Sequence, residues 1–105
     1  MINLHDKKKA KGQLLSVLYK RDFPQDELYK NAVDVFMDNL DDNILLLEFQ
    51  GKAADILLTR SRAIYEGKCY LVYFSIWVIR RGISWFADES TIEISNTVES
   101  WERQS

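Results

Sequence analysis

A chain of 105 residues is long enough for one folded domain with a buried core and too short for two, so we expect residues 1–105 to form a single globular domain. A hydrophobic content of 47% and an aromatic content of 12% argue against a disordered segment. The formal net charge of only −2 conceals four blocks of alternating sign, which carry +5, −7, +4 and −4 over residues 1–21, 22–58, 59–82 and 83–105.

The sequence shows no sign of secretion or of membrane insertion. No run of about 18 apolar residues is present, and the N-terminal segment lacks the apolar region of a signal peptide. A single cysteine, Cys69, excludes an internal disulfide, and alone it makes no metal site with the single histidine, His5. We therefore expect a cytoplasmic protein with no membrane partner.

Two helices are predicted in the first half of the chain. Residues 7–20 place three leucines on one side of a helix, and a strand over residues 13–19 is the alternative. Pro24 disfavours a helical backbone at the residue before it, so a break in the helix is expected there, and proline itself suits the first position of a new helix. The second helix is therefore expected over residues 24–40, with an apolar side that packs on the core and a polar side opposite.

The second half of the chain has the patterns of strands. A hairpin is predicted at Glu66-Gly67, after a strand over residues 56–65. A helix over residues 53–65 is the alternative, but the regular alternation of side chains favours a strand. The other strands are predicted over residues 44–49, 68–79, 83–86 and 91–95.

The C-terminal segment is predicted to end in a short helix. Asn96 and Glu99 have the spacing of a capping box, and the helix after them would hold Trp101. The predicted fold is thus α+β, with two N-terminal helices packed on a four- or five-stranded antiparallel sheet and a short C-terminal helix. Long strands with exposed edges also leave a homodimer as an open alternative.

One narrow stripe of the second helix is predicted to be acidic. Glu27, Asp34, Asp38 and Asp41 span an arc of roughly 60° at helical spacing, and no basic residue follows four positions along to neutralise them. Asp41 and Asp42 also crowd the predicted end of the helix, where the dipole already presents negative charge. These acidic residues go against the rules for charge spacing within a helix and for charge at its C-terminal end, which is typical of a binding surface. Neutralisation by the basic blocks of the folded chain is the alternative.

No catalytic or metal-binding set is visible in the sequence. His5 has no obvious orienting partner, Cys69 lies inside the most apolar predicted strand, and the glycines do not group into a phosphate-binding loop. Asp38, Asp41 and Asp42 offer oxygen ligands but lack the spacing of a calcium-binding loop. We therefore expect neither an enzyme, nor a cofactor, nor a metal.

Binding of single-stranded nucleic acid is an alternative function. Arginines lie on or beside strands that carry aromatic residues, a mixture that stacking platforms use. The sequence pI near 5.4 and the flanking acidic blocks weaken this alternative, because they repel phosphate. The candidate residues are Arg60, Arg62, Arg80 and Arg81, together with the aromatic residues Tyr70, Tyr73 and Trp77.

The three tryptophans are candidates for either core or interface positions. Trp77, in the most apolar strand, is predicted to lie in the core. Trp85 lies on a short strand predicted at the outside of the sheet, and Trp101 lies on a polar tail. Trp85 and Trp101 are each predicted either to cap the core or to anchor a partner.

At the level of class, the chain resembles the small cytoplasmic immunity proteins that neutralise bacterial toxin domains, including those of contact-dependent growth-inhibition systems. The resemblance rests on small size, an acidic stripe and an aromatic sheet without a catalytic set. It implies a stoichiometric inhibitor whose carboxylates cover the basic active site of a nuclease-like toxin; phage-encoded inhibitors and antitoxins have the same character. The partner-binding residues would be Glu27, Asp34, Asp38, Asp41, Asp42, Trp85 and Trp101.

Overall fold

Two helices cover one face of a four-stranded antiparallel sheet in a computed structural model that describes residues 1–21 and 26–99. The fold class is therefore α+β, as predicted. The order of the strands across the sheet is β1-β4-β3-β2. In chain order the elements are β1 (Ile2–Asn3), α1 (Lys7–Lys20), α2 (Asp26–Phe49), β2 (Ala54–Tyr65), β3 (Lys68–Arg81) and β4 (Ser84–Val98).

Helix α1 begins and ends where the sequence predicts. The side chain of Asp6 caps its first turn by accepting from the N–H of Lys9, and Ala10, Leu14 and Leu18 are buried at a spacing of four residues. The helix continues without a break from Lys7 to Lys20, so the alternative strand over residues 13–19 is wrong.

Helix α2 continues past its predicted end at residue 40, and the strand expected over residues 44–49 is wrong. The predicted start at Pro24 lies outside the described residues. Ile44 and Leu47 continue the row of core positions set by Phe36 and Leu40, so the last two turns remain helical. The helix ends at Phe49, and Gly51 just beyond it turns the chain with a φ of 70° that suits glycine, while the N–H of Lys52 donates to the carbonyl of Leu47 at 2.9 Å. The run looked like a strand because apolar residues also occupy the outer side of these turns.

Strands β2 and β3 form the predicted hairpin. Glu66 and Gly67 both have positive φ, at 51° and 78°, as a two-residue turn between twisted strands requires. The alternative helix over residues 53–65 is therefore wrong. At the other end of β3, Gly82 turns the chain into β4 with a φ of 64°.

Strand β4 joins two predicted strands into one by means of a bulge. Trp77 pairs with Asp88 and Ser75 with Glu93, so β4 carries extra residues at this point. The hydroxyl oxygen of Thr91 accepts from the backbone N–H of Trp77 at 2.9 Å, which replaces the missing ladder bond. The sequence predicted two strands here because the bulge interrupts the alternation of inward and outward side chains.

The ends of the chain also differ from the prediction. Asn96 lies inside β4, so no helix begins there, and no C-terminal helix occurs within residues 26–99. Trp101 lies outside the described residues. At the other end Ile2 and Asn3 form a strand that the sequence did not predict, paired with Ala87 and Phe86.

The core lies between the helices and one face of the sheet. Val72, Phe74, Ile76 and Val78 of β3 alternate towards the helices, and the rings of Phe74 and Phe36 lie 5.1 Å apart. The alternate residues of β3 line the opposite, open face of the sheet. Trp77 is among them and is exposed, so its predicted core position is wrong. Within residues 1–21 and 26–99 neither helix combines the length and apolar character needed to span a membrane.

We predict that Phe36→Ala lowers the free energy of unfolding by about 3–5 kcal/mol, because it leaves a cavity against Phe74 at the centre of the core. Phe49→Ala is the matched control, since Phe49 is 90% exposed on the same helix. Its effect should stay within about 0.5 kcal/mol. Urea denaturation followed by circular dichroism measures both, and equal effects would contradict the packing described above.

Candidate protein-binding surface

The five predicted carboxylates lie on the solvent side of α2, away from the sheet. Glu27, Asp38, Asp41 and Asp42 are exposed and Asp34 is half-buried, while Leu28, Phe36 and Leu40 face the core. The helix places these acids along one side because they recur at intervals of three, four or seven residues. The geometry of the stripe is thus the one that helical spacing predicts.

The stripe is not the uncompensated acidic edge that the sequence predicted. Helix α1 lies beside α2, and its Lys7 and Lys11 form ion pairs with Asp41 and Asp34. The two lysines are four residues apart, so one side of α1 presents both of them to α2. The basic N-terminal block therefore neutralises the side of the stripe that faces α1, as the alternative allowed.

The ion pair with Asp34 stabilises the charged form of Lys11. The hydrogen bond to Asp34 and the negative charge of that carboxylate raise the pKa of Lys11 above its ordinary value of 10.5, and the charge of Asp38 adds to the effect. Asp38 is thus close enough to interact with Lys11, although it forms no ion pair within the described part of the chain.

Three carboxylates of the acidic stripe remain exposed and form no ion pair within residues 1–21 and 26–99. These are Glu27, Asp38 and Asp42, on the part of the stripe farther from α1. Asp38 and Asp42 are one turn apart, which corresponds to about 6 Å along the axis. The structure therefore brings together a smaller acidic surface than predicted, held on a helix whose opposite side is anchored in the core.

An apolar patch continues the stripe and was missed in the sequence. Leu45, Leu46 and Phe49 are 64%, 53% and 90% exposed on the last turns of α2. Leu45 follows Asp38 by seven residues, so it lies on the same side of the helix. Helical spacing carried beyond residue 40 would have revealed this patch, but the segment was assigned to a strand. Exposed apolar patches that are rimmed by polar residues mark interaction sites in many proteins.

Of the two tryptophans proposed as anchors, Trp85 does not belong to this surface. Trp85 is 1% exposed, so its side chain fills the core and its predicted contact with a partner is wrong. Its backbone N–H donates to Nε2 of His5 at 3.0 Å, and its carbonyl accepts from the N–H of Leu4 at 2.9 Å. His5 therefore has a structural partner where none was expected. Trp101 lies outside the described residues.

The arginines of the nucleic-acid alternative are separated along the sheet and do not all share one face, because Arg80 falls in the same alternating set as the residues of β3 that face the helices. Arg60 lies opposite Tyr73, and Arg80 and Arg81 are exposed at the far end of β3. The Nε of Arg62 bonds Oε1 of Glu99 at 2.8 Å, and this carboxylate raises the pKa of the guanidinium.

The aromatic residues of that alternative are separated as well. Tyr73 and Trp77 line the open face, whereas Tyr70 is turned towards the helix side, where its ring lies 6.5 Å from that of Tyr65. The exposed carboxylate of Glu93 lies on the strand beside Ser75, on the open face. The open face is therefore mixed in charge, with one stacking residue beside Arg60 and another two rows away.

Comparisons with known proteins do not add to this geometry. No family model, no curated protein and no solved structure matches the chain.

Among residues 1–21 and 26–99, no three or more His, Cys, Asp or Glu side chains converge as metal ligands do. The thiol of Cys69 is half-buried and lies 3.7 Å from a carboxylate oxygen of Glu99. The arrangement of α2 is therefore the evidence from which the function is argued.

We predict that Lys11→Gln destabilises the fold more than Lys9→Gln, because both remove one positive charge from α1 but Lys11 has the ion pair with Asp34. The pKa of Lys11 is raised in the folded state, so its contribution is complete below the ordinary value of 10.5 and is lost as the pH rises through the folded-state value.

Urea denaturation of the two variants between pH 8 and strongly alkaline pH, at low and high salt, measures this difference. The gap between the variants should close at high pH and shrink in high salt. Identical curves for the two variants at pH 8 would show that the ion pair contributes nothing.

Proposed function

We propose that this chain is a cytoplasmic protein-binding inhibitor of the immunity-protein kind, which holds a basic partner such as a toxin domain against the outer side of α2. The observation that supports the proposal is the set of three carboxylates, Glu27, Asp38 and Asp42, that remain exposed after the lysines of α1 have paired with their neighbours. The apolar Leu45 beside them supplies area that excludes water from the contact.

The position of these carboxylates on one helix is suited to recognition. The helix is fixed by its buried side, so little conformational entropy is lost when a partner orders the exposed side. Aligned negative charges attract and orient a cationic surface, which raises the rate of association and discriminates against acidic proteins. A nuclease-like domain presents such a surface, because its active site must attract phosphate.

The paired carboxylates have a different role in this proposal. Asp34 and Asp41 hold α1 against α2 through Lys11 and Lys7, so they shape the surface rather than bind the partner. This division offers a test with two variants of equal net charge. Each double variant removes two negative charges from α2, one variant from the exposed carboxylates and the other from the paired carboxylates.

We predict that Asp38→Asn with Asp42→Asn weakens binding to the partner by roughly tenfold or more and flattens its dependence on salt. Asp34→Asn with Asp41→Asn should have a smaller effect on affinity and should instead lower stability, since it breaks both ion pairs with α1. The partner to test first is the product of the reading frame next to the gene.

Isothermal titration calorimetry at low and moderate salt gives the affinities, and co-expression shows whether the chain relieves the toxicity of that product. The proposal fails if the neighbouring product neither binds nor is neutralised. The assignment of the surface fails if binding occurs but the two double variants weaken it equally.

Binding of single-stranded nucleic acid is the second candidate, and one observation favours it. Arg60 lies directly opposite Tyr73 on the open face, and the exposed ring of Trp77 is on the same face. Against it, Arg62 is paired with Glu99, and Glu93 places a negative charge on the same face. A strand of nucleic acid would therefore meet fewer free cations than the sequence suggests.

We predict that fluorescent single-stranded DNA and RNA oligonucleotides bind weakly and are released at moderate salt, because the open face is mixed in charge. Fluorescence anisotropy over a range of salt concentrations is the measurement. Tight binding that is lost in Arg60→Gln and in Tyr73→Ala, but not in Asp38→Asn, would instead support the nucleic-acid function.

A further inference from the structure

The last two turns of α2 project beyond α1. Helix α1 begins at Lys7, which pairs with Asp41, and it runs back along α2 to the pair of Lys11 with Asp34. The chain before Lys7 leaves the helices for the sheet, where β1 pairs with β4. Residues 42–49 therefore have no second helix of residues 1–21 and 26–99 beside them on this side.

Phe49 is the most exposed apolar side chain of these turns, at 90%. It follows Asp38 by eleven residues, which brings it to within about 20° of the same side of the helix and about 16 Å further along the axis. Leu45 lies between them on that side. Exposed carboxylates and an aromatic ring thus share one side of a single helix.

The fold does not use the ring of Phe49. The row of core positions on α2 ends with Ile44 and Leu47, and Lys52 closes the helix by bonding the carbonyl of Leu47. Single exposed apolar residues are common, but Phe49 forms a patch with Leu45 beside exposed carboxylates. A partner that buries this ring gains the favourable free energy of removing it from water.

Carboxylates alone do not choose between basic partners. Their attraction reaches about 10 Å, is screened by salt and acts on any cationic surface. An apolar ring, by contrast, gains free energy only where the partner has a pocket that fits it and excludes water. Aromatic residues are enriched at interfaces, and a poor fit to the wrong partner is what makes an interface selective.

We propose that Phe49 is a specificity-determining residue of the surface on α2, and that it fills an apolar pocket beside the basic site of the partner. The inference rests on the proposed function, because the occupant is the same basic partner that Asp38 and Asp42 attract. The helix places Phe49 about 10 Å beyond Asp42 along its axis, so the pocket lies at the rim of the basic site. The carboxylates attract and orient the partner, and Phe49 with Leu45 holds it.

Binding kinetics with the product of the neighbouring reading frame test this division, and surface plasmon resonance gives both rates. Phe49→Ala should raise the dissociation rate roughly tenfold or more, by the same factor at low and moderate salt, and should change the association rate little. Asp38→Asn with Asp42→Asn should instead slow association and flatten the dependence on salt.

Leu58→Ala is the control for loss of an exposed apolar side chain. Leu58 is 61% exposed on the open face of the sheet, opposite the helices, so this variant should bind the partner as the wild type does. Circular dichroism checks that each variant is folded. Phe49→Ala should pass this check, because the ring is outside the core.

Poly-L-lysine is a second probe, because it is cationic but has no folded pocket. At low salt the wild type and Phe49→Ala should bind it equally, whereas the double aspartate variant should bind it more weakly. A loss in Phe49→Ala that is as large with poly-L-lysine as with the partner would overturn the role in specificity.

The outcomes separate this inference from the proposed function. If Phe49→Ala binds the partner as the wild type does while the double aspartate variant is weakened, the inference is wrong and the proposed function stands. A wild type that does not bind the neighbouring product overturns the proposed function and this inference with it. An effect of Leu58→Ala as large as that of Phe49→Ala would also overturn the inference.

Discussion

Burial on one face only is the constraint on which the rest of this structure depends. The two helices cover a single side of the sheet, so β3 must alternate between core residues such as Phe74 and exposed residues such as Trp77. The core is therefore built from one side of each helix and one side of each strand. The outside of α2, the open face and the edge of β2 are not used by the packing of residues 1–21 and 26–99.

The helix α2 illustrates how this constraint divides the work of one element. Its inner side carries Phe36 and Leu40 into the core, and the side next to α1 is fixed by the ion pairs of Asp34 and Asp41. Its outer side keeps carboxylates such as Asp38 in solvent. A helix with three chemically distinct sides of this kind can be buried on one side and braced on another while the third stays in solvent.

Local patterns predicted most of the fold because most of its elements are decided by local physics. The spacing of three leucines determined α1, and the turn at Glu66-Gly67 determined the long hairpin. The errors arose where local pattern was ambiguous. Residues 44–49 are apolar on both sides of α2, a run that suits a buried strand equally well, and β1 is only two residues long, too short for any periodicity.

The surface was harder to predict than the fold, because charges interact across elements. Helical spacing correctly aligned the acids of α2, but the rule that pairs residues four apart applies within one helix. Lys7 and Asp41 are 34 residues apart in sequence and meet only because α1 packs beside α2. Whether an acidic stripe is available to a partner is thus a tertiary property. The alternative that basic blocks of the chain neutralise the acidic stripe was correct for the side of the stripe that faces α1. It was incorrect for the side that faces solvent.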